Sequence, residues 1–292
     1  MKWFFPFSDF EIYPMLDMLD QTTIQIGHRK YEVKLEEGIS IAIQLDFQGD
    51  QPRFFESENA HSIPVQSGGF IGSVQAGGSC NVDTITANYH CNGTHTECVG
   101  HISEDQVSIS NIIDNSLIPV TLISMEASKI GDESYHVSTE NNDYLLTKSC
   151  LTQVLENANT DFLKGLVIRT LPNETSKKSH NYSEKSFPFF TNEAMHHIRI
   201  LGVRHLLVDT PSVDRTDDGG ELGNHRIYWG VSPGISKIDS QTCSKRTITE
   251  MIYTPDLLPD GCYLMNLQLP AFVSDAAPSR PILYPVNKIN DH

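Results

Sequence analysis

Three short runs, "LIPVTLISM" (117–125), "GLVIRTL" (165–171) and "LLVDTP" (206–211), set the strongest limit on what this chain can build. Each is mostly β-branched or aliphatic and too short for a buried helix, which matches strands covered on both faces. Alternating stretches add to them. "TTIQIGHRKYEVKL" (22–35) reads as a hairpin turning at Gly27-His28, and "ISIAIQLDF" (39–47) as a further strand. "VDTITANYH" (82–90) reads as a strand leading into a histidine cluster, and Pro-Asp-Gly in "LPDGCYLMNLQLPAF" (258–272) precedes another. Helices are fewer. "TKSCLTQVLENAN" (147–159) carries a Thr or Ser cap, and "TNEAMHHIRILG" (191–202) starts at a cap and ends at Gly202. Many strands with few, separated helices predict a sheet-rich α/β fold. The 292 residues show no internal repeat and no low-complexity linker, which favours a single domain.

Charge narrows the partners. With 37 acidic against 21 basic side chains, the chain carries a formal charge of −16. That disfavours nucleic acid and anionic membrane, because binding phosphates needs a basic face. It also supplies carboxylates that a divalent cation can use, and a small molecule is the expected partner. No run approaches the roughly 18 apolar residues of a membrane span. The aromatic start, "MKWFFPFSDFEIYPML", is interrupted by Asp9 and Glu11, with Asp17 just beyond, and has no small-residue cleavage site. Six cysteines (Cys80, Cys91, Cys98, Cys150, Cys243, Cys262) form no C-x-x-C pair. A zinc ribbon is excluded, a disulfide framework is not expected at this length, and reduced thiols in a cytoplasmic protein are. Sequons at Asn92, Asn173 and Asn181 carry little weight without an export signal.

The densest chemistry lies in "HCNGTHTECVGH" (90–101), with three histidines, one glutamate and two cysteines in twelve positions. Gly93, Thr94 and Thr96 disfavour a helix. On a strand His95 and Glu97, two apart, point to the same face. An imidazole and a carboxylate side by side suit zinc or manganese. His101 lies four residues beyond Glu97, past the strand end, and can return to the site from a loop. A single histidine here would read as a surface or hydrogen-bonded core residue; three with a carboxylate read as a site. Cys91 and Cys98 are within reach, although a lone thiol is more often packing than ligand.

Later segments supply partners. "LGVRHLLVDTPSVDRTDDGGELGNHRIYWG" runs from a helix end through a strand into a polar loop ending in His225. Asp209 leaves that strand at its carboxyl end, where sites of α/β proteins gather. Glu250 sits in the apolar run "TITEMI", where a buried carboxylate needs a cation, or else the strand face is exposed. The adjacent His196 and His197 read as surface residues, and "DRTDDGGE" as a solvated loop. "KKSHNYSEKS" (177–186) reads as a mobile surface segment, with a lid over the cleft as the alternative.

The segment 90–101 resembles the signature of the cyclase-type metal hydrolases, the family of bacterial kynurenine formamidases: His, three residues, His-x-Asp, three residues, His. "DTPSVD" (209–214) with His225 resembles the family's second signature, and Glu250 its following glutamate. "DFQGDQP" (46–52) resembles an early segment that contacts substrate. The similarity covers about residues 39–285 and leaves 1–38 as an N-terminal extension. It implies a swivelling β/β/α single domain that forms homodimers or homotetramers. It also implies two divalent ions, zinc first and manganese second. His90, His95, Glu97 and Glu250 would hold one ion, and Glu97, His225 and Glu250 the other. His101 would be the proton shuttle and Phe47 the substrate-contacting aromatic.

Three departures accompany the resemblance. Glu97 stands in place of Asp, four residues rather than three separate His90 from His95, and Val99 and Phe47 replace Pro and Trp. An inserted residue reverses side-chain parity in a strand, so His90 reaches the site only through a bulge, for which Asn92-Gly93 is suited. The implied activity is hydrolysis of an amide C–N bond, with an aryl formamide such as N-formylkynurenine as first substrate. A cyclic amide or lactone is the second, and a non-catalytic metal-stabilised binding protein the reading from another class.

Overall fold

A computed structural model describes residues 22–129, 131–183 and 186–289. The aromatic start of the chain, the first part of the 1–38 extension and Glu184-Lys185 lie outside the described residues. The hairpin forms as expected. β1 (Thr22–Ile26) and β2 (Arg29–Val33) pair antiparallel around Gly27, whose φ of +58° favours a residue without a side chain. Among the described residues nine more strands join the same sheet: β3 (Ile39–Ser40), β4 (His95–Cys98), β5 (Leu117–Glu126), β6 (Gly165–Leu171), β7 (His205–Val208), β8 (Thr247–Glu250), β9 (Gly261–Asn266), β10 (Ala276–Pro278) and β11 (Ile282–Lys288). Their spatial order is β1-β2-β11-β9-β5-β6-β7-β8-β4-β10, with β3 also on β11.

The centre of this sheet, β5-β6-β7-β8, is parallel, and every flanking pair is antiparallel. The three runs that read as buried strands supply β5, β6 and β7. Leu166, Ile168, Leu206 and Val208 face one side, where they meet Leu151, Met195, Ile198 and Trp229. Val167 and Leu207 face the other, against Val120, Leu122, Tyr263 and Met265. Burial of each such side chain contributes about 1.5–3 kcal/mol. The sheet bends so far that residues 39–43 span its arc: Ile39 and Ser40 pair with β11, while Ala42 bridges Ile252 just beyond β8.

Helices α1 (Lys148–Val154) and α2 (Asn192–Ile200) start where the sequence places them. The Thr147 and Thr191 side chains accept the backbone N–H groups of Cys150 and Ala194. α1 stops earlier than the sequence pattern suggests, at Val154, whereas α2 ends as expected at Gly202, whose φ is +78°. Among the described residues no helix is long and apolar enough to cross a membrane, and all six cysteines are unpaired.

Four expectations are corrected. The alternation over 39–47 yields a strand only at Ile39–Ser40. Beyond it Ile43 N–H bonds the Thr94 hydroxyl (2.9 Å), and Asp46 caps a turn by accepting Gln48 N–H. Of 82–90, only Asp83–Thr86 is extended, in an exposed ribbon with His61–Pro64 outside the main sheet. The polar loop expected around His225 contains helix α3 (Gly223–Trp229). Finally, 177–186 is pinned in its described part, since Lys177 reaches Asp209 at 2.8 Å, Tyr182 is buried, and Asn181 bridges Arg53.

Candidate metal centre

β7 and β8 end level with each other, at Val208 and Glu250, while β5 and β6 run on to Glu126 and Leu171, and the clustered side chains converge at the carboxyl end of β8 and on β4 beside it. β4 runs antiparallel beside β8, so His95 lies opposite Glu250 and Glu97 opposite Ile248. Period-two alternation puts His95, Glu97 and Glu250 on one face. Thr96 and Cys98 take the other, where the Thr96 hydroxyl meets that of Thr249 at 2.8 Å and Cys98 packs on Ile109 and Ile112. Cys98 is thereby turned away from the centre, and burial pushes its thiol up to about 12. Cys91 is buried, and its carbonyl accepts Phe54 N–H at 2.9 Å.

His90 arrives by a tight turn rather than a strand bulge. The amides of Cys91 and Asn92 bond the Asn88 carbonyl, and Gly93 at φ +80° redirects the chain into β4. The extra residue between His90 and His95 is absorbed there, at the place the sequence suggests. His101 follows β4 in a single 3-10 turn (Val99–Ile102), and His225 occupies the first turn of α3.

Glu97 is the hub. Its Oε2 lies 3.1 Å from His90 Nδ1 and 3.8 Å from His101 Nδ1, and its Oε1 lies 3.2 Å from His225 Nε2. Glu250 lies 3.4 Å from His95 Nε2 and 3.7 Å from His225 Nε2. Nitrogen and oxygen donors about 2.0–2.2 Å from one tetrahedral ion stand about 3.3–3.6 Å apart, so these spacings match a shared ion. Both Glu97 oxygens and His95 Nε2 are buried yet lack an aligned hydrogen bond. Such groups are costly unless a cation satisfies them.

The histidine protons agree. His95 Nδ1 donates to the Gly93 carbonyl (3.1 Å), and His225 Nδ1 is 2.7 Å from Asp214 Oδ2. Each ring is thus anchored through one nitrogen and turns the other toward the carboxylates, as metal-ligating imidazoles do. Burial opposes charge on His225, but contacts with Asp214, Glu250 and Glu97 raise its pKa well above the ordinary value. Burial likewise opposes charge on Glu97, yet His101, His225 and His90 hold it well below the usual carboxylate range. The residues present therefore fit a divalent cation. Two groups of convergent ligand atoms, His90/His95/Glu97 and Glu97/His101/His225, share Glu97.

Every metal and proton-shuttle residue read from the sequence is brought together: His90, His95, Glu97, His101, His225 and Glu250. Phe47 is not. A cavity of about 350 Å³ opens onto the centre and is walled by Phe54, Phe55, Pro211 and Leu222. Phe54 is buried, whereas Phe55 is 53 % exposed and held at φ +51°, with its carbonyl accepting the Ser183 hydroxyl. The cation on the wall, Arg215, is engaged by the Ser138 carbonyl (3.2 Å), Glu140 and Asp143 (3.5 Å).

Asp209, singled out at its strand end, serves the frame instead, accepting Thr170 N–H (2.9 Å) and Lys177 Nζ (2.8 Å). Residues the sequence reading missed are Asp214, which also accepts the Asn224 and His225 amides and the Tyr135 hydroxyl, and Asp275. Asp214 lies inside the quoted "DTPSVD" and was within reach of that signature. Asp275 has no local signal.

A cyclase family model matches residues 21–215. No curated protein matches the chain. Among solved structures, one described as a potential metal-dependent hydrolase with cyclase activity superposes with a TM-score of 0.56 at 15 % identity, covering 85 % of this chain and 97 % of that one. Isatin hydrolase A from Labrenzia aggregata, bound to benzyl benzoate, gives 0.58 at 14 % identity (85 % and 93 % covered). An isatin hydrolase bound to the product analogue thioisatinate gives 0.59 at 11 % (86 % and 93 %). At these identities the likeness is one of fold.

Proposed function

The chain belongs to the cyclase family, and from that premise we propose that it is a metal-dependent hydrolase cleaving the C–N bond of an aromatic amide. One observation carries the reading: the buried, unsatisfied Glu97 oxygens and His95 Nε2 converge with His90, His225 and Glu250 beneath an apolar cavity. His90, His95, Glu97, His225 and Glu250 would hold two divalent ions, zinc first and manganese second, with Glu97 shared. When bound, such ions supply Lewis acidity for the carbonyl and a water that ionises near neutral pH. His101, 27 % exposed at its side chain on the cavity wall, takes a proton from the attacking water and returns it to the leaving nitrogen. Phe54 and Phe55 exclude water and offer a ring face to an aromatic substrate.

An aryl formamide such as N-formylkynurenine is one substrate class. A neutral cyclic aromatic amide is favoured by the wall itself, because Arg215 is already engaged and offers no free cation to an amino-acid carboxylate. The test is metal content measured beside turnover of formamides, cyclic amides and lactones. Stoichiometric metal, chelator-sensitive turnover and metal loss in Glu250→Gln are expected. Turnover that survives chelation refutes the mechanism, and bound metal without any turnover leaves a metal-stabilised binding protein.

A further inference from the structure

Asp275 stands at the foot of β10, and its backbone is fixed: its carbonyl accepts Cys98 N–H at 3.0 Å, and the next residue, Ala276, pairs opposite Glu97. Gly100 makes room for it, since a Cβ at 100 would lie 3.1 Å from Asp275 Cβ and 2.6 Å from the Val107 carbonyl. So placed, Asp275 Oδ2 lies 2.9 Å from His90 Nε2 and 3.5 Å from His101 Nδ1. Its other oxygen accepts the Ser274 hydroxyl at 3.1 Å. The two imidazoles stack above it with centroids 4.3 Å apart and planes 28° from parallel.

We propose that Asp275 is a positioning residue of the centre: it keeps a proton on His90 Nε2 and orients the His101 ring, so that one outer carboxylate serves both a ligand and the proton shuttle. The roles of His90 and His101 rest on the hydrolase reading; the hydrogen bond itself does not.

His90 presents Nδ1 to Glu97 at 3.1 Å and Nε2 to Asp275. When His90 gives up a proton to a cation, either nitrogen could lose it. If Nε2 lost it, the remaining Nδ1–H would turn toward Glu97 and block the side where the other ligand atoms converge. A carboxylate on Nε2–H makes a charge-assisted bond there and leaves Nδ1 as the bare nitrogen. His95 and His225 already have such outer acceptors in the Gly93 carbonyl and Asp214. Asp275 completes the set for His90. It alone among the three also touches His101, so loss of it disturbs metal retention and ring orientation together.

The experiment uses the full chain with Asp275→Ala, Asp275→Asn and Ser274→Ala. The metal-free protein is examined by proton NMR with ¹⁵N-labelled histidine, and zinc affinity is measured by competition with a chromophoric chelator. Wild-type protein is expected to show a slowly exchanging His90 Nε2 proton, assigned with a His90→Gln control. Asp275→Ala is expected to lose that signal and bind zinc about 10–100-fold more weakly. Asp275→Asn, whose amide oxygen still accepts the proton, recovers both in large part, and Ser274→Ala leaves both unchanged. Wild-type affinity in Asp275→Ala, or equal losses in Ala and Asn, overturns the proposal, the second because it assigns the effect to charge alone. If wild-type protein binds neither zinc nor manganese, the hydrolase reading fails, while the Nε2 signal still decides whether Asp275 holds His90.

Discussion

Shortening Glu97 to Asp, the acid of the family signature, is the sharpest test of the hub. Glu97 is fully buried on a strand held along both edges by β8 and β10. The backbone therefore cannot advance, and loss of one methylene withdraws the carboxylate by about 1.5 Å. Contacts now at 3.1 Å (His90) and 3.2 Å (His225) would open to well beyond any common ion's reach. Metal–ligand bonds tolerate only about 0.2 Å, so affinity is expected to fall at least about tenfold. A displacement on the order of 1 Å costs about a hundredfold in rate. The stability cost is smaller, about 1 kcal/mol for one buried methylene, so Glu97→Asp should still fold. Chelator-competition titration measures affinity, and thermal melting of the metal-free protein controls for folding. Affinity within twofold of wild type, with a native melt, would refute the claim that this backbone is built for the longer acid.

Other perturbations separate the remaining roles. His101→Ala is expected to keep its metal and lose about 10²-fold or more in kcat; retained metal with an unchanged rate removes His101 from the mechanism. Phe55→Ala should raise KM while kcat and the melting temperature hold, because the ring is half exposed at the cavity mouth; an unchanged KM would exclude it from the substrate wall. pH acts on the metal-free protein through His90. Burial opposes its charge, but Asp275 and Glu97 raise its pKa from 6.5 to about 10. The folded value exceeds the unfolded one, so this stabilisation is complete below pH 6.5 and is lost as pH rises through 10. The denaturation midpoint of chelator-treated protein should fall across that interval, more steeply than in His90→Gln. Parallel profiles for the two proteins would contradict the shift.

Local chemistry was legible in the sequence wherever a local rule governs it. The 22–33 hairpin, the buried strands, the Thr147 and Thr191 caps and the shared face of His95 and Glu97 all follow from period, propensity or capping within a few residues. Helix α3 was not legible, because no residue at its own start caps it: His136 accepts the Gly223 amide, and Asp214, ten residues before Asn224, accepts the Asn224 and His225 amides. Phe47 gave way to Phe54 and Phe55 because the turn at Asp46 and the bridge from Arg53 to Asn181 decide which aromatic meets the cavity. Asp275 comes to His90 across 185 residues, through the pairing of β10 with β4. Residue types and short spacings by themselves determined that this chain carries a metal-suited strand. Only the folded sheet decided which outer groups turn its histidines inward, because hydrogen bonds reach about 3 Å in space and take no account of distance along the chain.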